Sequence, residues 1–422
     1  MADGGNGFGS AAAKVDEARL WQRHVDMAKL GGTPKGGVRR LALDANDIAA
    51  RRLLADWAKP YGWQVSMDAI GNLYIRRPGT DNDADPVLSG SHTDTQPSGG
   101  RFDGIYGVLA AFEAMEAIEA AGIRTRRPIE TVVWTCEEGG ARFPMGTMGS
   151  GVFVGRTPLA DARAVADYDG VTVGEAVDAA RAALPDLPER TFGFPIAAFV
   201  EAHIEQGPIL EEKGLQIGVV TGIQGARRFR VEIEGADAHA GTTPRARRKD
   251  ALSAAVAMVA ALEKVFHDDP SDTVRFTVGR FVVTPNAPAV VPGHVAFTID
   301  FRHPDDAVLT SLGDQVEPIC QANRKGCAVT VHQTARGKPL TFLDLVPGAV
   351  DQAAKGLGLG HMRINSGAGH DAGPMQVAAP SGMIFVPCEH GISHAEAENA
   401  TPADLAAGAR VLAETLVTLA GR

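Results

Sequence analysis

Cysteine is scarce in this chain: four residues, Cys136, Cys320, Cys327 and Cys388, in a length of 422. They form no Cys-x-x-Cys pair and no dense framework, which argues against a disulfide-stapled secreted scaffold and leaves metal ligation to His and carboxylates. No apolar stretch approaches the ~20 residues of a membrane span. Lys and Arg are outnumbered by Asp and Glu, for a formal net charge of −10, and no long basic run occurs. Nucleic acid and anionic membranes are therefore not expected partners. The opening residues, MADGGNGFGSAAAK, have no hydrophobic segment, so no signal peptide is expected. Their Gly/Ala/Ser content predicts a disordered lead-in over residues 1–14, and the cytoplasm is the expected compartment. There is no internal repeat. What remains, 45% apolar and 22% charged residues, is ordinary for a globular protein long enough for two domains.

The first half alternates helical and strand patterns. Residues 15–30 and 44–58 have helical apolar spacing, and residues 104–121 form a helix of small residues. Residues 86–91, 129–135 and 196–200 read as strands, each running into polar residues. Strand, polar residue, helix, repeated, is the pattern of an open α/β sheet, whose ligands sit at the carboxyl ends of the strands. The character changes after Thr221 and Gly222. Residues 228–234 alternate as a half-exposed strand, residues 246–267 form an amphipathic helix, 273–283 and 294–302 two strands, 305–322 a helix and 328–333 a last strand. Strand–helix–strand–strand–helix–strand predicts a ferredoxin-like insert over 222–335, interrupting a catalytic domain made of 15–221 and 336–422.

Four separated segments carry the chemistry. They are Glu201-Ala-His203-Ile-Glu-Gln206-Gly-Pro, Ser91-His92-Thr-Asp94-Thr with Phe102-Asp103-Gly104, Cys136-Glu137-Glu138, and Gly391-Ile-Ser-His394. Each has a bland reading when taken alone. His92 and Asp94 make a loop histidine beside a turn aspartate, Asp103 a helix N-cap, and Glu137-Glu138 a solvated pair. Jointly they offer three histidines, an aspartate and a tandem glutamate, which is the donor set two divalent cations require. The spare glutamate suits a general base, because burial and mutual repulsion raise one carboxyl's pKa.

The strings SHTDTQPSGGRFDGIYGVLA, TCEEGGARFP, EAHIEQGP, HAGTTP, SGAGHDA and GISHAEAE together resemble the amidase/hydantoinase/carbamoylase branch of the di-metal aminoacylase–carboxypeptidase clan. The resemblance runs from about Val15 to the C-terminus. It implies a mixed-sheet, di-metal aminopeptidase-like catalytic domain with an inserted ferredoxin-like α+β domain for dimerisation. It implies hydrolysis of the linear amide of an N-carbamoyl-L-amino acid, with allantoate or ureidoglycolate as alternatives, then a dipeptide or acylated amino acid. A non-catalytic binding protein is disfavoured by the intact ligand set.

The same resemblance implies residue roles. Asp103 bridges two metals, with His92 and His203 on one and Glu138 and His394 on the other. Zinc is the first expectation, with manganese, cobalt or nickel also suited to such donors. Glu137 is the general base, and Asp94 holds the His92 imidazole in its tautomer. His239 stabilises the oxyanion, reaching across the interface of a homodimer. Gln206 faces the carbamoyl or ureido group, Arg302 clamps the substrate carboxylate, and His370 lies at the substrate. One departure stands out. Such relatives carry an asparagine just before the Val-Pro-Gly turn, where this chain has Ala289, with Asn286 three residues earlier.

Overall fold

The computed structural model describes residues 7–421 except 269. It divides into two compact units, Met1–Thr221 with Phe342–Arg422, and Gly222–Thr341. The strands in chain order are β1 (Gln64–Met67), β2 (Leu73–Arg77), β3 (Val87–His92), β4 (Ile129–Trp134), β5 (Ala198–Ile204) and β6 (Ile217–Ile223). They continue as β7 (Gly225–Glu234), β8 (Ala238–His239), β9 (Arg275–Thr284), β10 (Val290–Val291), β11 (His294–His303), β12 (Ala328–Gly337) and β13 (Leu340–Thr341). The last two are β14 (His361–Ser366) and β15 (Ser381–Val386).

The first unit is built on a mixed sheet in the order β1-β2-β4-β3-β5-β15-β6, with β14 beside β6. The central pairs β4-β3, β3-β5 and β5-β15 are parallel. The flanking pairs β1-β2, β2-β4 and β15-β6 are antiparallel. Every residue of β3, β4, β5 and β15 is buried. Strands covered on both faces read as continuous apolar runs, as these do. Helix α1 (Glu17–Ala28) and α2 (Ala45–Ala58) start at Asp16 and Asp44, whose carboxylates accept the N–H groups of Arg19 and Asp47.

Helix α3 (Ile105–Ala120) is buried along nearly its whole length. Its small residues allow close approach, and it packs against β3, β5 and the C-terminal helix Pro402–Ala420. That closeness has a sequence requirement: a Cβ on Gly408 would lie 2.0 Å from the Tyr106 hydroxyl. Two buried acids of α3, Glu113 and Glu116, fasten α1. Arg19 donates to Glu113 at 2.6 and 2.8 Å, and Arg23 donates to Glu116 at 2.6 Å.

The expected lead-in over 1–14 needs correction in its described part. Residues 12–14 form a turn of 3-10 helix, and Ala11 and Ala12 are buried. Their N–H groups donate to the buried Glu414 carboxylate at 2.9 Å. Composition suggested a solvated tail, but alanines are small enough to tuck under a helix that offers an acceptor. Residues 1–6 of that expectation lie outside the described residues.

His24 of α1 is sealed against Phe102 and Tyr106, with ring centroids 5.3 and 6.1 Å away. Burial holds its pKa down to about 3, from an ordinary 6.5. The unfolded chain therefore takes up this proton near pH 6.5 and the folded chain only near pH 3. Stability is unaffected above 6.5 and is lost as pH falls below it, by about 1.4 kcal/mol per pH unit. Urea midpoints measured from pH 7 to pH 5 should fall more steeply for the parent than for His24→Leu. Parallel slopes would remove His24 from the acid sensitivity.

The second unit is an antiparallel sheet in the order β12-β7-β11-β9. The helices Ala251–Phe266, Asp306–Gly313 and Val316–Ala322 accompany it. Phe229, Val231, Ile233, Val295, Phe297, Ile299 and Phe301 alternate inward along β7 and β11 and meet Met258, Leu262, Phe266, Leu309 and Val316. Outward residues of the same strands, such as Arg228 and Arg230, are exposed. One expected helix, 305–322, is two, because the chain turns at Asp314 and Gln315. The return to the first unit falls after Thr341 rather than at 335: β12 runs on to Gly337, and β13 pairs with Gly222 and Ile223.

Candidate metal and catalytic site

His92 closes β3, Glu137 and Glu138 follow β4, and His203 lies within β5. That strand was expected to stop at 200; it continues through Ile204, so His203 is strand-borne. Asp103 sits in the turn before α3, and His394 in the loop after β15. Asp103 does not cap α3. Gly104 holds the cap position with no side-chain bond, at φ +67°, and a Cβ there would lie 2.2 Å from His92 Cε1. A glycine is required where the turn passes so close under the imidazole.

The Asp103 carboxylate is thereby freed to point at three histidines. Its Oδ1 lies 3.2 Å from His203 Nε2 and 3.8 Å from His92 Nε2. Its Oδ2 lies 3.2 Å from His394 Nε2, which is in turn 3.6 Å from Glu138 Oε1. Two sets of ligand atoms result, each within 4.8 Å: His92, Asp103 and His203, then Asp103, Glu138 and His394. Asp103 belongs to both, one oxygen to each side. A third set, Glu201, His203 and His370, shares His203 with the first.

The donors fit divalent cations on three counts. His92 Nδ1 is 2.8 Å from the Asp94 carbonyl and His203 Nδ1 is 2.9 Å from the Ile204 carbonyl. With Nδ1 turned to a main-chain carbonyl, Nε2 of each ring faces the Asp103 carboxylate, the orientation ligating histidines use; His203 Nε2 also has Gly104 N at 3.2 Å. Glu138 Oε1 is buried with no hydrogen-bond partner among the described residues. A buried orphan carboxylate oxygen is costly unless something positive meets it. Finally, imidazole and carboxylate together are the N/O chemistry of zinc-like ions.

Asp94 requires a correction. Its backbone carbonyl, not its carboxylate, meets the His92 ring; the carboxylate Oδ1 stands 3.7 Å from Nδ1. The carboxylate instead accepts the N–H groups of Glu137 at 3.3 Å and Glu138 at 3.1 Å. It holds the tandem glutamates where β4 ends, and a side-chain-to-backbone bond of that kind is invisible to motif spacing. Cys136, just ahead of the two glutamates, has a left-handed backbone at φ +55°. Gln206 and His394 are also left-handed, at +56° and +54°. Such backbone costs about 1 kcal/mol or more per residue and gathers at functional sites.

Glu137 Oε2 is 3.7 Å from His92 Nε2. Burial, then the carboxylates of Asp371 and Glu138, push its carboxyl well above the usual range. Burial and Asp103 push Glu138 up to about 7. Asp103 is held well below the usual range against burial by hydrogen bonds from His203 and His394. Gln206 Nε2 donates to Asp103 Oδ2 at 3.0 Å, and its buried Oε1 has no partner among the described residues. His370 stacks edge-on against His203 at 4.5 Å, and its Nε2 is 3.0 Å from Ser366 Oγ. Burial holds the His370 ring well below its ordinary pKa, hence neutral.

His239 and Arg302 belong to the second unit. His239 is exposed on β8, and its Nδ1 accepts from Gly241 N at 3.0 Å and Thr242 N at 3.1 Å. An accepting Nδ1 places the proton on Nε2, leaving a ready N–H donor. β8 pairs with β10, and Ala240 N donates to the Ala289 carbonyl at 3.0 Å. Position 289 is thus adjacent to the His239 loop through its backbone. Arg302 Nε donates to Asp300 at 3.0 Å.

Two buried groups had no role assigned from sequence. Glu201 accepts from Ser91 Oγ at 2.7 Å and Ala372 N at 2.8 Å, tying β5 to β3 beneath the histidines. Glu398 accepts from Phe102 N and Asp103 N at 2.9 and 3.0 Å. Both lie inside conspicuous strings, but nothing in spacing says that a glutamate will turn inward.

A parallel-centred α/β sheet with acids and histidines at its strand ends defines a hydrolase-like metal-site architecture. Residues 88–418 match peptidase family M20/M25/M40, and the chain belongs to that family. It is 39% identical over 404 residues to an N-carbamoyl-L-amino-acid amidohydrolase of Rhizobium meliloti, covering 94% of this chain and 95% of the relative. It is 34% identical over 398 residues to an allantoate amidohydrolase of Bacillus subtilis, covering 93% and 95%. A crystal structure of an amidase of the hydantoinase/carbamoylase family from Burkholderia multivorans superposes with a TM-score of 0.91 at 45% identity, covering 96% and 98%.

Proposed function

We propose that this chain is a metal-dependent amidohydrolase that cleaves the linear C–N bond of an N-carbamoyl-L-amino acid. The observation that carries this is Asp103, one carboxylate shared by two ligand sets, with the unligated Glu137 beside them. In this reading His92 and His203 would hold one divalent cation and Glu138 and His394 a second, with Asp103 contributing to each. Zinc is the leading ion, and manganese, cobalt or nickel suit the same donors. Such ions, when bound, supply charge that polarises the carbamoyl oxygen and acidifies water.

The chain's own groups do the rest. Glu137, its carboxyl raised by burial, takes the proton as water adds to the carbamoyl carbon. It returns that proton to the departing nitrogen as one C–N bond breaks; the carbamate left by that cleavage then loses carbon dioxide unaided, so that the amino acid, ammonia and carbon dioxide are the final products. Gln206 offers its unpartnered Oε1 to a carbamoyl N–H. Neutral His370 lines the substrate side of His203. His239 gives its Nε2–H to the developing oxyanion, supplied by the second unit of a homodimer partner. Arg302 takes the substrate carboxylate through its planar fork. Free, buried cysteines suit a cytoplasmic setting, and no described helix is long and apolar enough to cross a membrane.

Ala289 offers no side-chain amide to that carboxylate, which favours a substrate whose acid group relies on Arg302. Allantoate and ureidoglycolate remain the second reading on that ground. A panel of N-carbamoyl-L-amino acids, allantoate, ureidoglycolate and dipeptides, scored for ammonia and amine release, separates these. The expected result is ammonia release from the carbamoyl amino acids, at least about tenfold faster than from the others. Release of amine from dipeptides alone would contradict the proposal.

A further inference from the structure

The two ligands Asp103 and His394 come from loops far apart in sequence, and neither loop is part of the sheet. Asp103 is in the turn before α3, and His394 follows β15. One buried side chain touches both loops. Glu398, 1% exposed, accepts from Phe102 N at 2.9 Å and Asp103 N at 3.0 Å through Oε1. Through Oε2 it accepts from Ser393 Oγ at 2.9 Å, one residue before His394. The same Ser393 hydroxyl stands 3.3 Å from Asp103 Oδ2. The fit is close: a Cβ on Gly100 would lie 2.1 Å from Glu398 Oε1, so the Asp103 turn is glycine where it wraps this carboxylate. Asn399 extends the seam by accepting from Arg101 at 3.2 Å.

The two ligand sets differ in how they are held. His92 and His203 stand on β3 and β5, with Nδ1 fixed by main-chain carbonyls. Two of the three ligands in that set are thus strand-borne, and only Asp103 comes from a loop. In the other set, His394 is half exposed on a loop, with a left-handed backbone, and reaches Asp103 and Glu138 only through its Nε2. Its position relative to Asp103 depends on what fastens its loop to the Asp103 turn.

We propose that Glu398 is a positioning residue that keeps Asp103 and His394 in register, so that the cation set of Asp103, Glu138 and His394, with two loop-borne ligands fastened by it, depends on it far more than the set of His92, Asp103 and His203, with only one. This rests on the paired-cation reading above. Residues that orient ligands from behind typically alter metal affinity ten- to a hundredfold when changed. Here the effect falls chiefly on one of two affinities, which a general loss of packing would not produce.

The test uses the full chain, stripped of metal and titrated with Co(II) or Zn(II) by calorimetry, with the melting temperature of the stripped protein measured alongside. The parent should take up two ions per chain in two steps. In Glu398→Ala one step should weaken by about a hundredfold and the other by less than about threefold, the weakened step being the one that His394→Ala also affects. Ser393→Ala removes only the bridging hydroxyl and should weaken the same step about tenfold, with the stripped protein melting as the parent does. Glu398→Gln retains an oxygen for the two N–H groups and should lie between parent and Glu398→Ala. If Glu398→Ala does not fold, Ser393→Ala decides. Two unchanged affinities in the variants, or equal loss in both steps, would overturn the inference and leave the paired-cation reading standing. A parent that takes up no ion would overturn both.

Discussion

Glu137→Gln is expected to lower turnover by about a hundredfold or more while the protein keeps its fold and its full content of divalent cation. The expectation follows from position. Glu137 and Glu138 leave the same buried strand, pinned by the Asp94 carboxylate, yet only Glu138 falls within a ligand set. Glu137 stands to one side, its oxygen 3.7 Å from His92 Nε2, with its carboxyl raised by burial and by neighbouring carboxylates. An amide has the same shape and cannot accept the proton, and a lost general base costs on the order of 10²–10⁴ in rate. Steady-state rates with elemental analysis of the same sample check it. Near-parental turnover in a metal-replete variant would reject the assignment, and loss of metal would move Glu137 into the ligand set.

Asp103→Ala should have the broader effect. Asp103 is the one residue common to the two sets, Oδ1 toward His92 and His203, Oδ2 toward His394. Removing it leaves each set with two protein ligands. It also leaves His203 and His394, whose imidazoles are raised to about 9 chiefly by that carboxylate against burial, without their acceptor. Both stepwise affinities should fall by more than the ten- to hundredfold typical of outer residues. His394→Ala should weaken one step only. Titration of the two variants side by side makes the comparison. Loss of a single ion in Asp103→Ala would show that Asp103 does not span the sites.

The alternation of strand, polar residue and helix placed the ligand candidates on one edge of a sheet, because in a doubly covered sheet only the strand ends can offer polar groups. β3, β4 and β5 were readable as apolar runs. β1 and β2 were not: Gln64–Met67 and Leu73–Arg77 are short, and their pairing is decided by register with β4. β6 and β15 escaped for a related reason, since a six- or seven-residue apolar run with a glycine has no period of its own, and β14, His361–Ser366, is mostly polar. In the second unit the alternation along β7 and β11 was explicit, because one face meets helices and the other does not.

At the site, residue types were legible and attachments were not. His92, Asp103, Glu138, His203 and His394 announce themselves as donors. That the Asp94 carbonyl rather than its carboxylate orients His92 is a matter of ring direction between near neighbours, which residue types do not disclose. That the Asp94 carboxylate holds the glutamate N–H groups, that Glu201 ties two strands beneath the histidines, and that Glu398 joins two loops are side-chain bonds between residues 43 to 296 positions apart. The lead-in failed for the same cause. Ala11 and Ala12 are buried by an acceptor on Glu414, which no local pattern reveals.

The central claim is that one carboxylate joins two cation sites at the ends of β3, β4 and β5. A crystal structure of the protein loaded with zinc, with anomalous scattering recorded at the metal edge, tests it most directly. Two peaks per chain are expected, one within about 2 Å of His92 Nε2, His203 Nε2 and Asp103 Oδ1, the other equally near His394 Nε2, a Glu138 oxygen and Asp103 Oδ2. A single peak, or two peaks that do not share Asp103, would contradict the account.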